Sequence, residues 1–399
     1  MTKLLDLKNN SVIAINQNNY TKEDNYKKVC YLDTDNITNN RINTFLKIDL
    51  TKEKLPSRAK RKCSLNSIIY SSVRPNQRHF GIIKEIPKNF LVSTAFIVID
   101  IIDLEKLDPN YLYYYITQDK ITHYLQRIAE CGTSSYPSIT PLDFLNIKIK
   151  LYPLETQQKI ARTLSILDQK IENNHKINEL LHKILELLYE QYFVRFDFLD
   201  ENNKPYQTSG GKMKFSKELN RLIPSGWNVR FLNHKIVSTY QPKTISKTLL
   251  NDSYSYSVYG GGGIIGRFTE YNHEQSEFII SCRGQCGISY LTLPKSWITG
   301  NAMVIRPTKS YTSKTYLYHT IKKYKLTNYI TGSVQPQITR QNLSTMPILI
   351  PKRKTLNKWN NISSLLWNLI HNNMQATQTL TALRDFLLPL LLKQQVKPQ

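Results

Sequence analysis

The chain is written twice. Gly132-Thr-Ser-Ser-Tyr136-Pro137-Ser138-Ile139-Thr140 returns as Gly332-Ser333-Val334-Gln335-Pro336-Gln337-Ile338-Thr339, at an offset of 199 residues from Pro137/Pro336 onward. The same offset pairs Thr156 with Thr355, Lys159 with Lys358, Ile171 and Asn174 with Ile370 and Asn373, and Leu181 and Leu188 with Leu380 and Leu387. Upstream the match continues at slightly larger offsets, as small loop insertions would produce. Ile69…Arg74…Gln77…Gly81 resembles Ile280…Arg283…Gln285…Gly287, Ala95–Ile99 resembles Ala302–Arg306, and Tyr111-Leu112-Tyr113 resembles Tyr316-Leu317-Tyr318. The shared order of these matches points to a duplicated unit, which a chain of 399 residues has room to fold twice.

Each copy ends in a long helix. Apolar residues fall at Ile160, Leu164, Leu167 and Ile171, then at Leu181, Leu185, Leu188 and Tyr192, with Asn174 and Asn178 at the two positions between. In the second copy Ile362, Leu366, Leu369, Asn373, Ala376, Leu380, Leu383 and Leu387 keep the same rhythm. Steps averaging 3.5 over four heptads describe a coiled-coil seam; an ordinary amphipathic helix would drift towards 3.6. Two such helices in one chain have each other as partner, and an antiparallel pair with a block at each end is the simplest closed arrangement. Forty helical residues span roughly 60 Å, a stiff spacer. Asparagine at a seam position fixes register at some cost in stability. Pro389 ends the regular helix near Leu387 or kinks it there.

The blocks ahead of the helices read as mixed α/β. Ser67–Ser71, Phe96–Asp100 and Phe278–Ser281 look like strands; Leu107–Leu125 and Thr315–Ile330 look like Tyr-rich helices. Five segments follow: a first block over 1–153, a helix over 154–196, a linker over 197–222, a second block over 223–351, and a second helix with its tail over 352–399.

The formal net charge is +24, and it is uneven. Lys and Arg outnumber Asp and Glu by 22 to 15 over 1–153 and by 14 to 4 over 224–351, whereas over 154–192 there are 5 against 6. Lysine from AT-rich codons would spread more evenly; patches point to a polyanion, nucleic acid above all. No apolar run reaches the roughly 18 residues of a membrane span, and the start lacks the apolar core of a secretory signal. The five cysteines are scattered rather than arranged as a disulfide framework. A cytoplasmic protein is expected.

Catalytic templates fail one by one. None of the 17 prolines is followed by another, so the Pro-Pro-aromatic loop of DNA amino-methyltransferases is missing. Gly261-Gly-Gly263-Ile-Ile-Gly266 fits the dinucleotide fingerprint in letters, but no apolar helix follows; a turn that lets backbone come close to something is the better reading. No Gly-x4-Gly-Lys-(Ser/Thr) phosphate loop occurs. Asp168-Gln-Lys170 has nuclease letters but lies on the long helix, as a solvated charged face. Cys282-x3-Cys286 lacks a second Cys/His pair at zinc spacing. No catalytic residue, bound cofactor or metal is expected in this chain.

Groups suited to DNA are plentiful. Lys60, Arg61, Arg74 and Arg78 crowd the first block; Arg267, Arg283 and Arg340 populate the second. Lysines mostly meet phosphate, whereas bases are told apart by forked groups: Arg on guanine, Gln or Asn on adenine. Arg74…Gln77 and Arg283…Gln285 supply these at matching places, as do Tyr136 and Ser138 against Gln335 and Gln337. Each alone could be a solvated loop residue; their repetition singles them out.

At this point the sequence resembles the DNA-specificity subunit of type I restriction–modification systems. The carrying residues are Gly132…Tyr136-Pro-Ser-Ile-Thr140, Ile147…Pro153-Leu-Glu-Thr-Gln157-Gln-Lys-Ile160-Ala, and Leu164…Leu167-Asp168-x-Lys-Ile171, with Ile223-Pro-Ser-Gly-Trp227 opening a second domain. The second helix departs from the pattern, with Leu356 where a Gln is expected, and the N-terminus lacks a Pro-x-Gly-Trp opening. The resemblance implies two globular target-recognition domains, each reading half of a split site in double-stranded DNA. The antiparallel coiled-coil pair between them, with pseudo-two-fold symmetry, would set the gap and dock two methyltransferase subunits. Those partners would hold S-adenosylmethionine, and separate restriction (helicase-nuclease) subunits would hold ATP and Mg. The alternative kept beside it is a coiled-coil scaffold or adaptor without DNA sequence specificity.

Overall fold

The computed structural model describes residues 1–38, 40–131, 136–251 and 254–397. Its backbone contacts divide it into two compact units, 1–173 with 377–399, and 174–376. Both are mixed α/β, and each is built on its own four-stranded antiparallel sheet of like strand arrangement.

In the first unit the strands run Ile13–Ile15, Phe96–Ile101, Ile68–Ser71, Phe80–Ile82 in spatial order, all antiparallel. In the second the order is Val237–Tyr240, Ala302–Pro307, Phe278–Ser281, Ser289–Leu291, again antiparallel. The central strands are buried at nearly every position, which is why they read as unbroken β-branched and aromatic runs rather than alternating ones. The first unit adds a second four-stranded sheet, Leu46–Asp49, Lys28–Leu32, Phe90–Ser93 and Ala59–Arg61, over its own small core.

A Tyr-rich helix covers each sheet. Where one helix over 107–125 is expected, two form, Pro109–Ile116 and Asp119–Glu130. They break at Thr117-Gln118, whose side chains turn back to the carbonyls of Tyr113 and Tyr115. The counterpart stops at Lys322 rather than Ile330, followed by a 3-10 turn, Leu326–Tyr329. One phenol is used identically in both units: Tyr111 donates to the Lys150 carbonyl and Tyr316 to the Leu349 carbonyl, pinning the helix to the strand that leads into the long helix.

The first long helix is Leu154–Tyr189 and the second Arg353–Leu392. In the first unit the Tyr152 hydroxyl donates to the Leu392 carbonyl and Arg384 pairs with Asp168 at 2.8 Å, so the two helical segments there run antiparallel. In the second unit Asn373 donates to Asn178 at 2.9 Å, Asn178 donates to the Ile370 carbonyl, and His182 meets Trp367 edge-on, again antiparallel. Of the first helix's seam, Ile160, Leu164 and Leu185 are buried, and Leu167, Ile171, Leu181 and Leu188 are half-buried.

Apolar counting places half of the second seam: Asn373, which bonds to Asn178, and Leu387 are half-buried together with Leu366 and Leu380, but the other positions are not. Ile362, Leu369 and Leu383 are exposed. The buried face carries Trp359, Ser363, Ile370 and Leu391, and half-buried Arg384. These are Ile160, Leu164, Ile171, Tyr192 and Leu185 shifted by the repeat's 199 residues. A serine and an arginine on the buried stripe hide it from a search for leucines. Pro389 neither ends nor stops the helix, which runs on to Leu392. The proline forfeits one main-chain bond in the last turn, whereas Leu388, Leu391 and Leu392 are buried, each worth about 1.5–3 kcal/mol.

Asp168 is likewise no solvated surface acid. It takes Arg384 on one oxygen and the Tyr114 hydroxyl on the other. The stretch 197–222, expected as a linker, is folded: Met213–Ser216 pairs with Arg221–Pro224 around left-handed Asn220, and Phe198 stacks on Tyr206 and Trp227.

Three of the second unit's histidines, His182, His319 and His371, lie close to Trp367. His319 and His371 are buried, and neither Nε2 has a partner; the same is true of the Trp359 and Trp367 ring nitrogens. Burial, with the Lys322 ammonium next, pushes His319 down to about 3. Burial, with Lys314 next, pushes His371 down to about 4, and His182 is lowered as well. Each is held neutral to lower pH in the fold than in the unfolded chain, which takes up protons below about pH 6.5. Their contribution to stability is therefore complete above about pH 6.5 and is lost as the pH drops towards 4 and 3. All four tryptophans, at 227, 297, 359 and 367, lie in this unit. Tryptophan fluorescence should accordingly show denaturant midpoints falling steadily between pH 6.5 and 4; a flat profile would rule out the histidines as its cause.

Candidate nucleic-acid interface

The hairpin between the third and fourth strands of each four-stranded sheet carries the repeated Arg/Gln residues. In the first unit it leaves Ser71, passes Val73 and Arg74, makes a 3-10 turn over Pro75–Gln77, and re-enters at Phe80. Arg74 and Arg78 hold left-handed backbone, φ 47° and 54°. Such φ costs a non-glycine residue about 1 kcal/mol or more, so something outside the loop holds it. For Arg74 that something is the segment 136–139; Arg78 is held by Asp119 and by Asn40 N–H on its carbonyl. Ile139 N–H donates to the Ser72 carbonyl at 2.8 Å and Arg74 N–H to the Pro137 carbonyl at 2.9 Å, which sets Val73 opposite Ser138.

The second unit repeats the first of these bonds and the facing pair, with Arg283 at the place of Val73 rather than of Arg74, with which the sequence match pairs it. Its loop runs from Ser281 to Ser289, with Ile338 N–H donating to the Cys282 carbonyl at 3.1 Å and Arg283 opposite Gln337. Here the left-handed positions are glycines, Gly284 at φ 74° and Gly287 at φ 90°. The Cys286 thiol adds a bond to the Pro336 carbonyl at 3.1 Å. The repeated Ile-Thr that closes each motif is structural. Ile139 and Ile338 are buried, and the Thr140 and Thr339 hydroxyls cap the short helices Pro141–Leu145 and Arg340–Leu343. The motif's opening, Gly132–Ser135, lies outside the described residues.

Two surfaces thus bring together what the sequence separates by fifty residues or more. In the first, Arg74, Gln77, Tyr136 and Ser138 are all exposed, and the Arg74 guanidinium lies 5.6 Å from the centre of the Tyr136 ring. In the second, Arg283, Gln285, Gln335 and Gln337 are exposed, and Arg340 is exposed on the helix that follows.

Other basic residues have different occupations. Arg78 is paired with Asp119 at 2.9 Å. Arg267 donates through Nε and Nη2 to the Tyr254 and Ser255 carbonyls of its own hairpin. Lys60 is exposed and Arg61 half-buried on the outer strand Ala59–Arg61 of the other sheet, with Arg61 reaching the Thr94 carbonyl. Burial lowers the Arg61 pKa.

Sequence reasoning missed Gln126, whose side chain accepts from Asn76 N–H and steadies the first loop. It also left open what the glycine turn approaches. A Cβ on Gly261 would lie 2.8 Å from the Arg283 carbonyl, so the turn butts against the second loop. Among the described residues no three His, Cys, Asp or Glu side chains converge as metal ligands. The Cys282 and Cys286 thiols are both raised by burial, which favours the neutral form. No helix among the described residues is long and apolar enough to cross a membrane.

The family model described as "Type I restriction modification DNA specificity domain" matches the chain twice, over residues 6–183 and 224–380. The chain belongs to this DNA-specificity family. It is 23% identical to the type I restriction enzyme HindI specificity subunit of Haemophilus influenzae, with 93% of this chain and 95% of that one covered. It is 24% identical to the MjaIX specificity subunit of Methanocaldococcus jannaschii, with 73% and 70% covered. The crystal structure of the type I restriction–modification S subunit from M. genitalium shares its fold, at a TM-score of 0.56 and 16% identity, with 98% and 99% covered. Membership favours a subunit that recognises a DNA target over a generic scaffold.

The close approach at Gly261 gives a test of how the second loop is held. Gly261→Ala should destabilise the second unit by about 1–3 kcal/mol in urea unfolding read by tryptophan fluorescence. Gly262→Ala, which meets nothing within 4 Å, should change it by less than about 1 kcal/mol.

Proposed function

We propose that this chain is the non-catalytic reader of a bipartite DNA target, one half per unit, which brings methyltransferase and restriction subunits to that site. The observation that carries the reading is the twice-built loop pair. Val73 faces Ser138 and Arg283 faces Gln337 on the same main-chain frame, with an exposed arginine and other base-reading groups at each. One frame with two sets of side chains is what two readers of different half-sites require. On this reading 1–153 and 223–351 are the target-recognition domains, and 154–196 and 352–399 carry the spacer helices.

The spacer is proposed as an antiparallel coiled coil, supported by the pairing of the helical segments within each unit and by the Asn178–Asn373 bond as a register lock. The helices keep a second, exposed apolar set in repeat register, Ile166 with Leu365 and Ile184 with Leu383. Leu187 and Phe386 extend it. Apolar positions left uncovered on both long helices suit docking of two methyltransferase subunits. Those subunits would bring S-adenosylmethionine, and the restriction subunits ATP and Mg.

Exchanging residues 1–153 for the matching block of another family member should change one half of the methylated site and leave the other intact, read by long-read methylome sequencing. A change in both halves would break the modular reading. Removing one heptad from each helix should alter the gap between the halves and not their bases. An unaltered gap would take the ruler role away from the helices.

A further inference from the structure

The frame of each loop pair fixes more than position. Where the bonds of an antiparallel pair flank two facing residues rather than join them, their side chains leave on the same side about 4.5–5.5 Å apart. Ile338 N–H to the Cys282 carbonyl makes Arg283 and Gln337 such a pair. Ile139 N–H to Ser72 and Arg74 N–H to Pro137 make Val73 and Ser138 another.

Chemically the two pairs are unlike. Arg283 and Gln337 are exposed, and among the described residues no hydrogen bond or ion pair engages either side chain. Arg78 and Arg267, by contrast, are already occupied. An arginine fork matches the two acceptors of guanine, and a glutamine amide matches the acceptor and donor of adenine. Neighbouring base pairs are stacked about 3.4 Å apart, within the spread of two side chains that start this close. Valine offers a thymine methyl contact and serine a single hydroxyl, so the first pair has no two-handed group.

Building on the DNA-reading role proposed above, we infer that Arg283 and Gln337 work as one two-position reader, specifying a guanine next to an adenine in the half-site of the second unit. The main-chain bridge supplies the spacing, and each side chain supplies one base. In the first unit the facing pair cannot discriminate in this way, and two-handed reading falls to the flanking Arg74 and Gln77.

The test is selection of bound duplexes from a randomised pool by the full chain, followed by sequencing, for the wild type and three variants. The wild-type target should contain neighbouring G and A in one half. Arg283→Ala should relax the G about tenfold or more, Gln337→Ala should relax the adjacent A similarly, and the other half should not change. Gln337→Glu should exchange the preferred adenine for cytosine, a gain that misfolding cannot imitate. Variants that keep the wild-type target, or that relax positions in different halves, would overturn the paired reader while leaving the DNA-reading role intact. A wild-type chain that selects no sequence and binds without salt dependence would instead overturn that role.

Discussion

The main-chain hydrogen bonds between the hairpin tip and the strand-like segment before the short capped helix carry the rest of the architecture's purpose. They join Ser72 with Ile139 in one unit and Cys282 with Ile338 in the other. Because they involve only backbone atoms, they tolerate any side chains at the positions between them. The first loop keeps its path with left-handed arginines, the second with glycines, and both end in the same pairing. A scaffold that does not depend on its exposed side chains can keep its geometry while the residues that meet a ligand change.

Beneath the loops the duplication has drifted in a different manner. Tyr114, Asp168 and Arg384 form a hydrogen-bonded ionic cluster in the first unit. Their repeat counterparts are His319, Trp367 and Leu185, an aromatic and aliphatic cluster. One site thus meets its packing requirement with charges that must be matched, the other with rings and apolar surface. The replacement of Gln157 by Leu356 follows the same logic. Gln157 is fully buried and uses both ends of its amide, on Asp108 N–H and the Lys106 and Tyr152 carbonyls, whereas Leu356 is equally buried and needs no partner.

The duplication, the strands and the long helices were legible in the sequence because each leaves a periodic or repeated trace. The second seam was legible only at Leu366, Asn373, Leu380 and Leu387, although the 199-residue offset applied to the first seam lands on all of it. Ser363 and Arg384 look like surface residues until their partners are known. The same limit holds for the basic residues: Arg78, Arg267 and Arg74 are identical letters, and their occupations are decided by Asp119, by the Tyr254 and Ser255 carbonyls and by the Tyr136 ring. Left-handed arginines have no signature in composition. The hairpin Met213–Ser216/Arg221–Pro224 hid behind lysines and a Gly-Gly that read as linker.

The division of the long helices between the units has a bearing on how the polypeptide is made. The first unit is assembled from 1–173 and 377–399, and Leu388, Leu391 and Leu392 sit in its main core. A ribosome that has finished the first block has not yet delivered those leucines. Until the final turns emerge, that half has an open apolar face, and its last core side chains arrive only after the whole of the other half has been translated.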